Sequence, residues 1–554
     1  MASAAGVSIL QKGGTAVDAA VAMAAVLCVT EPGSTDLGAD CFMLIYDPAI
    51  GKVVGVNGSG RSSRHASREQ ALRDMNLPEG SQVMAPIYRN GQCVTVPGCV
   101  AAWCDAHARY GALTLKEVLA PAEKIARDGF VMADRARRAV DEYEVTGQDR
   151  AFFEEMGIPL SPDSGELTVR TEMADVLKEI QHGGKSAFYG GATALAVEKA
   201  VKAKGGVLDA QDFANHKECL FTTPISTTFQ GVTVWEHGPN GAGLVVLVAL
   251  NILEALGEAT AGGVPQLVGD WTDGAAAAKS LHTLIEVMRW SFNEARKVLA
   301  DAGSVPETAI DALLDKNLAR ELAKKIDLTK ATAYDKITEE LKSRKISPVN
   351  FGTGDTVAFN VIDGEGRSVS MVNSTYKSFG SVIAARGFCL QNRGHNFTLE
   401  QGHPNVLEPN KRPYHTILPC LLTRLNDGSL FASFTNMGGF MQPTGHVLQI
   451  TNLLVRKLGA QEAVDAPRFC INSDDETLGI AFGSMLQQVH IEPTYAPSTL
   501  EALAAYGHTL NVLDPDPYLR GKLVGKAQII LSDGKDMMRA GSDYRADGCP
   551  LAVI

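Results

Sequence analysis

Small and apolar residues run from Ala16 to Val29 with a single charge, Asp18, and stop at Glu31-Pro32. Thr15, just after Gly13-Gly14, stands where it can cap a helix through this run. The run is too short to cross a bilayer, so it predicts a buried helix. A turn-rich stretch over 33–40 leads to CFMLIYD (41–47), and beyond Gly51 comes VVGVNGSG (53–60). Two strand-length apolar runs about a glycine predict a hairpin. From Val96 the pattern becomes helical: a Pro-Gly turn, a helix through Trp103 to Tyr110, a stop at Gly111, and a second helix over 113–129 kinked or restarted at Pro121.

Charged helices with loops are expected over 136–203, and FTTPISTTFQGVTVWEH (221–237) has the β-branched and aromatic content of paired strands. HGPNGAGLVVLVALNILEAL (237–256) reads as a Gly-rich turn opening a buried helix. The most polar stretch, about 300–350, carries Lys324, Lys325, Lys330, Lys336, Lys342 and Lys345, and predicts exposed helices ending in a mobile linker. Beyond Gly352-Thr353-Gly354 the pattern changes. TVAFNVID (356–363), SVSMVNST (368–375) and SVIAARGFCLQN (381–392) are strand-like and separated by Gly-rich turns. The fold class read from this order is α+β, with at least one multi-stranded sheet covered by helices.

Composition narrows the function. A chain of 554 residues that is 45% hydrophobic and 21% charged builds a large soluble core of two portions or two layers. Its formal net charge of -12 offers no basic footprint for nucleic acid or an anionic membrane, which makes a small molecule the expected partner. The 10 cysteines form no CxxC pair and sit mostly in apolar surroundings, as expected for reduced core residues. No basic segment followed by an apolar stretch opens the chain, so a cytoplasmic location is expected. Neither a GxSxG elbow nor a phosphate-binding GxxxxGK[ST] loop nor an HExxH zinc pair is present, and no metal or organic cofactor is expected.

The segment FGTGDTVAFNVIDGEGRSVSMVNSTYKSFGS (351–381) carries the chemistry. A flexible glycine-rich approach reaches Asp355 and then Thr356, a hydroxyl residue that opens a strand. Autoproteolysis needs such a strained, irregular peptide, because the hydroxyl must attack the carbonyl that precedes it. The cut leaves Thr356 with a free α-amine of pKa near 8 beside its hydroxyl, so one residue supplies base and nucleophile. Gly-Asp-Thr before a strand is also ordinary loop sequence, and the segment alone does not decide between the two.

The chain resembles the γ-glutamyltransferase family over nearly its whole length. GGTAVDAAVAMAAVLCVTEPGSTDLGADCFMLIYD (13–47), VPGCVAAW (96–103), LAPAEKIARDGF (119–130), the Thr356 segment, KRP (411–413), MGGFMQP (437–443) and SDYRADG (542–548) follow the family's order. The resemblance implies a four-layer αββα sandwich of the N-terminal-nucleophile hydrolase type. It also implies a cut between Asp355 and Thr356, giving a large portion (1–355) and a small portion (356–554) that stay together. Thr356 is then the nucleophile, and the backbone N–H groups of Gly438 and Gly439 form the oxyanion hole. Ser374 stands where the family has a threonine bonded to the nucleophile; a solvent-facing strand serine is the alternative.

The departures from the family concern substrate. Ser59 is nearest the position of the arginine that binds the glutamyl α-carboxylate, with Arg61 and Arg64 close by as poor replacements. Tyr376 replaces an asparagine, Arg393 and Asn396 fall near the glutamine and aspartate that hold the α-amine, and His415-Thr416 falls near a serine pair. Arg393, His395, Asn396, Tyr376, Tyr414, His415 and Thr416 are therefore the expected substrate-binding set. Losing an aspartate and gaining an arginine points to a small carboxylate-bearing amide without an α-amine, as in the oxamate amidohydrolase-like branch. Arg393 in a structural salt bridge and His395 and His415 as plain pocket walls are the alternatives. A γ-glutamyl hydrolase or transferase acting on glutathione-like substrates, and an unprocessed non-catalytic binding protein, are the competing functions; the oligomeric state is open.

Overall fold

Thr15 and Asp18 close a reciprocal cap at the start of the first long buried helix: Asp18 N donates to Thr15 Oγ1 (3.3 Å) and Thr15 N to Asp18 Oδ2 (2.9 Å). In this computed structural model the structure describes residues 1–81, 84, 89–144, 150–160, 165–333, 355–471, 488–534 and 537–553. The expected linker beyond 333, with Gly352-Thr353-Gly354, lies outside them. The helices that frame the site are Ala16–Thr30 (α1), Cys99–Tyr110 (α2), Leu115–Asp128 (α3), Thr171–Gly183 (α4), Gly243–Glu258 (α5), Gly274–Ala295 (α6) and Met441–Leu454 (α7). The strands of the two central sheets are Asp40–Asp47 (β1), Lys52–Gly58 (β2), Leu220–Thr222 (β3), Ile225–Phe229 (β4), Val232–Glu236 (β5), Asp355–Ile362 (β6), Ser368–Tyr376 (β7), Pro419–Arg424 (β8), Leu430–Met437 (β9), Lys526–Ser532 (β10) and Met538–Ser542 (β11).

One sheet has the order β3-β2-β1-β7-β6 and the other β11-β10-β9-β8-β5-β4. Side chains alternate faces along a strand, and that alternation builds the layers. In the first sheet Cys41, Met43, Ile45, Val369 and Met371 pack against α1 to α4, while Phe42, Leu44, Tyr46 and Val372 meet the second sheet. In the second, Cys420, Leu422, Ala432 and Phe434 pack against α5, α6 and α7, and Leu421 and Leu430 turn to the first sheet. The result is helix, sheet, sheet, helix, the expected αββα sandwich. Ser370 stitches the sheets by donating to Phe434 O (3.0 Å) and accepting from Cys420 N (3.1 Å).

Both sheets mix strands from before and after residue 355. β6 and β7 complete a sheet begun by β1 to β3, and β8 to β11 continue one begun by β4 and β5. Asp363, in the turn between β6 and β7, accepts from Ala16 N at the start of α1 (2.9 Å). The SDYRADG motif closes a buried ion network: Arg545 on Glu492 (2.6 Å) and on Asp543 (3.0 Å), with Asp543 also on Arg468 (2.6 Å).

FTTPISTTFQGVTVWEH holds the expected paired strands, the β4–β5 hairpin of the second sheet, and in addition β3, which joins the first sheet. Pro224 stands between β3 and β4 and cannot donate a ladder hydrogen bond. SVIAARGFCLQN is not a third long strand but a minimal hairpin of Ala384–Ala385 and Phe388–Cys389. Positive φ at Phe379 (54°), Gly380 (55°), Val382 (55°), Arg386 (51°) and Gly387 (75°) breaks it. The helices of the polar stretch, Glu307–Leu314 and Lys316–Ala323, bury Ile310, Leu313, Ala319 and Leu322 beneath an exposed face. All 10 cysteines are free, and all but Cys104 and Cys549 are buried. Among the described residues no helix is long and apolar enough to cross a membrane.

Arg170, just before α4, is fully buried and bonds Asp36 Oδ2 (2.9 Å), Cys28 O (2.7 Å) and Gly387 O (2.8 Å), tying the end of α1 to the minimal hairpin. Arg170→Met strands a buried carboxylate and the carbonyls of Cys28, Val29, Met156 and Gly387. Breaking one partner from a buried pair costs about 3–5 kcal/mol, so urea unfolding is expected at a clearly lower midpoint with an unchanged slope.

Candidate active site

Thr356 sits at an irregularity between β6 and β7. Asp355 pairs with Tyr376 and Val357 with Asn373, so Thr356 alone is opposed by Ser374 and Thr375. Such a bulge re-aims a side chain and loosens the local ladder. Thr356 Oγ1 donates to Ser374 Oγ at 3.0 Å, and both residues are buried between the sheets. The solvent-facing reading of Ser374 is therefore excluded. Ser374 Oγ also accepts from Tyr376 N (2.9 Å), and Tyr376 has φ of 77°, a left-handed backbone that a bulky residue adopts only under constraint.

From Tyr376 the contacts continue to Arg393. The guanidinium carbon lies 4.6 Å from the Tyr376 ring centroid, and Nη1 donates to Thr416 Oγ1 at 3.2 Å. Arg393 is 0% exposed, and its Nε and Nη2 have no hydrogen-bond partner among the described residues. Burial lowers its pKa to about 10, opposed by Asp40, Tyr376 and Tyr414, so it keeps its charge at neutral pH. Among the described residues no carboxylate forms a salt bridge with it, and Asp40 is its foremost charged neighbour.

The other expected residues divide. His395 shares the 3-10 turn Arg393–Asn396 and is buried, its ring 6.2 Å from that of Tyr376. Asn396 and Tyr414 are framework: Asn396 Nδ2 donates to Tyr414 O (2.9 Å), while Asn405 receives Tyr414 N (3.0 Å) and donates to Asn396 O (2.7 Å). His415 Nε2 is bonded to Ser59 Oγ (2.7 Å) and stands 3.6 Å from Asp40 Oδ2. Burial, then the charge of Arg393, holds its pKa well below the usual imidazole value, so it is neutral. Arg61 is taken by Asp301 and Asn410 O, and Arg64 by Asp209; neither is a free carboxylate grip.

Gly438 and Gly439 join β9 to α7 with φ of 139° and 56°. A Cβ on Gly438 would lie 2.7 Å from Gly525 Cα, so only glycine fits. α7 is held by Gln442 Oε1, which accepts from Leu418 N (2.8 Å), and by His446, bonded to Glu236 Oε1 (2.7 Å). Two buried trios bring metal-ligating atom types within 4.8 Å of one another, Glu236–Cys420–His446 and His282–Glu286–His508. Their members already bond each other or, in the second, Arg289, whose charge disfavours a cation.

One residue of the site escaped the sequence reading. Asp40, at the head of β1, pairs directly with Ser374 and so shares its face. Its Oδ1 accepts from Gly98 N (3.0 Å) and Gly60 N (3.2 Å), and Oδ2 has no hydrogen-bond partner among the described residues. Burial raises its pKa to about 7 against the pull of Arg393 and the two backbone donors. The only sequence signal is a lone carboxylate directly before an apolar strand.

Comparison with known proteins agrees with this architecture. The sequence profile of the gamma-glutamyltranspeptidase family matches residues 2–553. The glutathione hydrolase-like YwrD proenzyme of Bacillus subtilis (strain 168) is 32% identical over 561 residues, covering 100% of this chain and 97% of the relative. The oxamate amidohydrolase proenzyme of Klebsiella pneumoniae subsp. pneumoniae is 27% identical, covering 99% and 96%. The crystal structure of cephalosporin acylase from Bacillus halodurans superposes with a TM-score of 0.82 at 32% identity, covering 99% of this chain and 93% of that one. With its αββα sandwich and this full-length match, the chain belongs to the gamma-glutamyltranspeptidase family of N-terminal-nucleophile hydrolases and transferases.

Proposed function

We propose that the protein cuts its own chain before Thr356 and then hydrolyses a small amide bearing a carboxylate on its acyl side. In the first step Thr356 Oγ attacks the Asp355 carbonyl, and water resolves the resulting ester, leaving portions 1–355 and 356–554 joined through both sheets. In the second, the new α-amine takes the hydroxyl proton as Thr356 attacks the amide carbon, then passes it to the departing amine. The N–H groups of Gly438 and Gly439 receive the oxyanion, and a water releases the acid from Thr356.

The observation that carries the substrate class is Arg393. A buried guanidinium with two unpartnered donor positions, braced by the Tyr376 ring and Thr416, matches a carboxylate. It is linked to Thr356 through Tyr376 and Ser374, which suits a short acyl group of oxamate size. His395 lies in the same 3-10 turn as Arg393, and neutral His415, next to Thr416, adds no competing charge. A γ-glutamyl substrate is the second reading, favoured by the glutathione hydrolase-like relative and by Asp40, a carboxylate on the face of Thr356 that could meet an ammonium group.

Purified protein is expected as two fragments, the smaller beginning Thr-Val-Ala-Phe by N-terminal sequencing. An intact chain after long incubation, or another start, refutes the cut. Thr356→Ala is expected to lose processing and turnover together, and Thr356→Ser to keep slow versions of both, because serine keeps the hydroxyl but lacks the methyl that restricts χ1. Turnover by the alanine variant at a comparable rate would remove Thr356 as nucleophile.

Arg393→Ala and Arg393→Lys are expected to lose kcat/KM on oxamate selectively. A hydrogen bond to a charged group contributes about 1.5–3 kcal/mol, or roughly tenfold and more. Ethyl oxamate, the uncharged comparison, should be nearly unaffected. Equal loss on both would make Arg393 structural, and strong glutathione turnover by the unaltered protein would favour the γ-glutamyl reading.

A further inference from the structure

We propose that Asp40 is the resident counter-charge of Arg393, and that an anionic acyl group displaces it electrostatically, each anion bound being accompanied by one proton taken up on Asp40 Oδ2. This rests on the reading of Arg393 as the carboxylate site. Arg393 and Asp40 are each other's foremost charged neighbour, yet no salt bridge joins them. Oδ1 is fixed by Gly60 N and Gly98 N, leaving buried Oδ2 as the atom free to carry a proton. The register places Asp40 opposite Ser374, on the same face as Thr356.

Most described groups around Asp40 keep their charge state near neutrality. Arg393 and Arg412 are lowered to about 10 by burial and stay charged. His415, 3.6 Å away, is neutral. Cys41, Cys99 and Tyr189, which feel the same carboxylate, are raised well above their ordinary values by burial and stay protonated. Asp40, raised to about 7 by burial, changes charge near neutrality. The free α-amine that the proposed cut gives Thr356, on the same face, titrates at about pH 8 and is distinguished from Asp40 by working at about pH 7. Without ligand, its ionised form offsets part of the guanidinium charge. A second carboxylate on Arg393 faces an ionised Asp40 in a closed, poorly screened space, and like charges in such a site drive one of them to protonate. The balance is one anion entering and one solvent proton bound on ionised Asp40.

The sign follows. Below about pH 7 Asp40 is already protonated and affinity is flat; above it the proton must be acquired, and affinity falls by up to about tenfold per pH unit. The probe is pyruvate, a carboxylate with no amide to cleave. Calorimetric titration of the processed protein at about pH 7, in buffers of different ionisation heat, is expected to give about half a proton taken up per pyruvate, since Asp40 is there about half ionised and an amine of pKa near 8 is already about nine-tenths protonated. Asp40→Asn keeps the Oδ1 acceptor and is expected to bind pyruvate at about pH 7 with no more than about a tenth of a proton taken up and a flat affinity from about pH 6 to about pH 7. If that variant does not fold, uptake by the unaltered protein at about pH 7 decides: about half a proton supports Asp40, and about a tenth or less overturns the proposal. Loss of pyruvate binding in Arg393→Ala together with no uptake in the unaltered protein overturns the Asp40 proposal and leaves Arg393 standing. Unchanged binding in Arg393→Ala overturns both. Affinity for an amine-bearing substrate that improves as pH rises would make ionised Asp40 an ammonium site and also overturn the proposal.

Discussion

Every polar side chain aimed into the space between the two sheets must find its partner there, because the strands on either side leave little room for water. Leu44, Leu421 and Leu430 close one part of that space, and Phe42, Val372 and Ile417 close another. Within such walls a hydroxyl bond such as Thr356 to Ser374 holds its geometry without competition from solvent. The same walls make Arg393 costly: a buried guanidinium with two unpartnered donor positions is tolerated where a ligand completes it. On the proposed reading, the anion the site would take and the cost of Arg393 to the empty protein have one cause.

The surroundings of Thr356 are also where regular backbone gives way. Tyr376, Phe379, Val382 and Arg386 all adopt positive φ in the stretch that follows the bulge, and Val382 is β-branched. Each left-handed residue costs of order 1–3 kcal/mol, so the segment persists only because its neighbours over-determine it. Arg170 on Gly387 O and Ser381 Oγ on Leu390 O (2.9 Å) are two of the bonds that do so. A relaxed third strand would have put a ladder where the chain now turns back to bring Arg393 beneath Tyr376.

Local pattern made the layers readable. The unbroken apolar run of α1, the β1–β2 hairpin and the glycine-opened α5 follow from period and punctuation alone. The pairing of those pieces did not, since Pro224 divides one strand-rich stretch between two sheets. For the candidate site, Thr356 and Ser374 were picked out through the family's motifs and Arg393 as a departure from them; the contacts that join the three through Tyr376 appear only in three dimensions. Ser59 and His415 each stood out as departures, and their bond to each other appears only in three dimensions. Asp40 was hidden because its partners Gly60, Gly98 and Ser374 lie far along the chain, so a carboxylate before an apolar strand reads as a boundary.

The interleaving of strands from both sides of residue 355 has a consequence for the amine that the proposed mechanism needs. Translation starts a chain on methionine, so an N-terminal threonine must come from a later break, and a break in an unfolded chain would leave that terminus open to trimming or acylation. Here the residue that would become the terminus is only 3% exposed, in a strand already paired within a shared sheet. Under the proposed cut the amine is made inside that paired wall and not on a loose end. Neither proposed portion carries a complete copy of either sheet, so under that reading the uncut chain is the template on which its own active form is assembled.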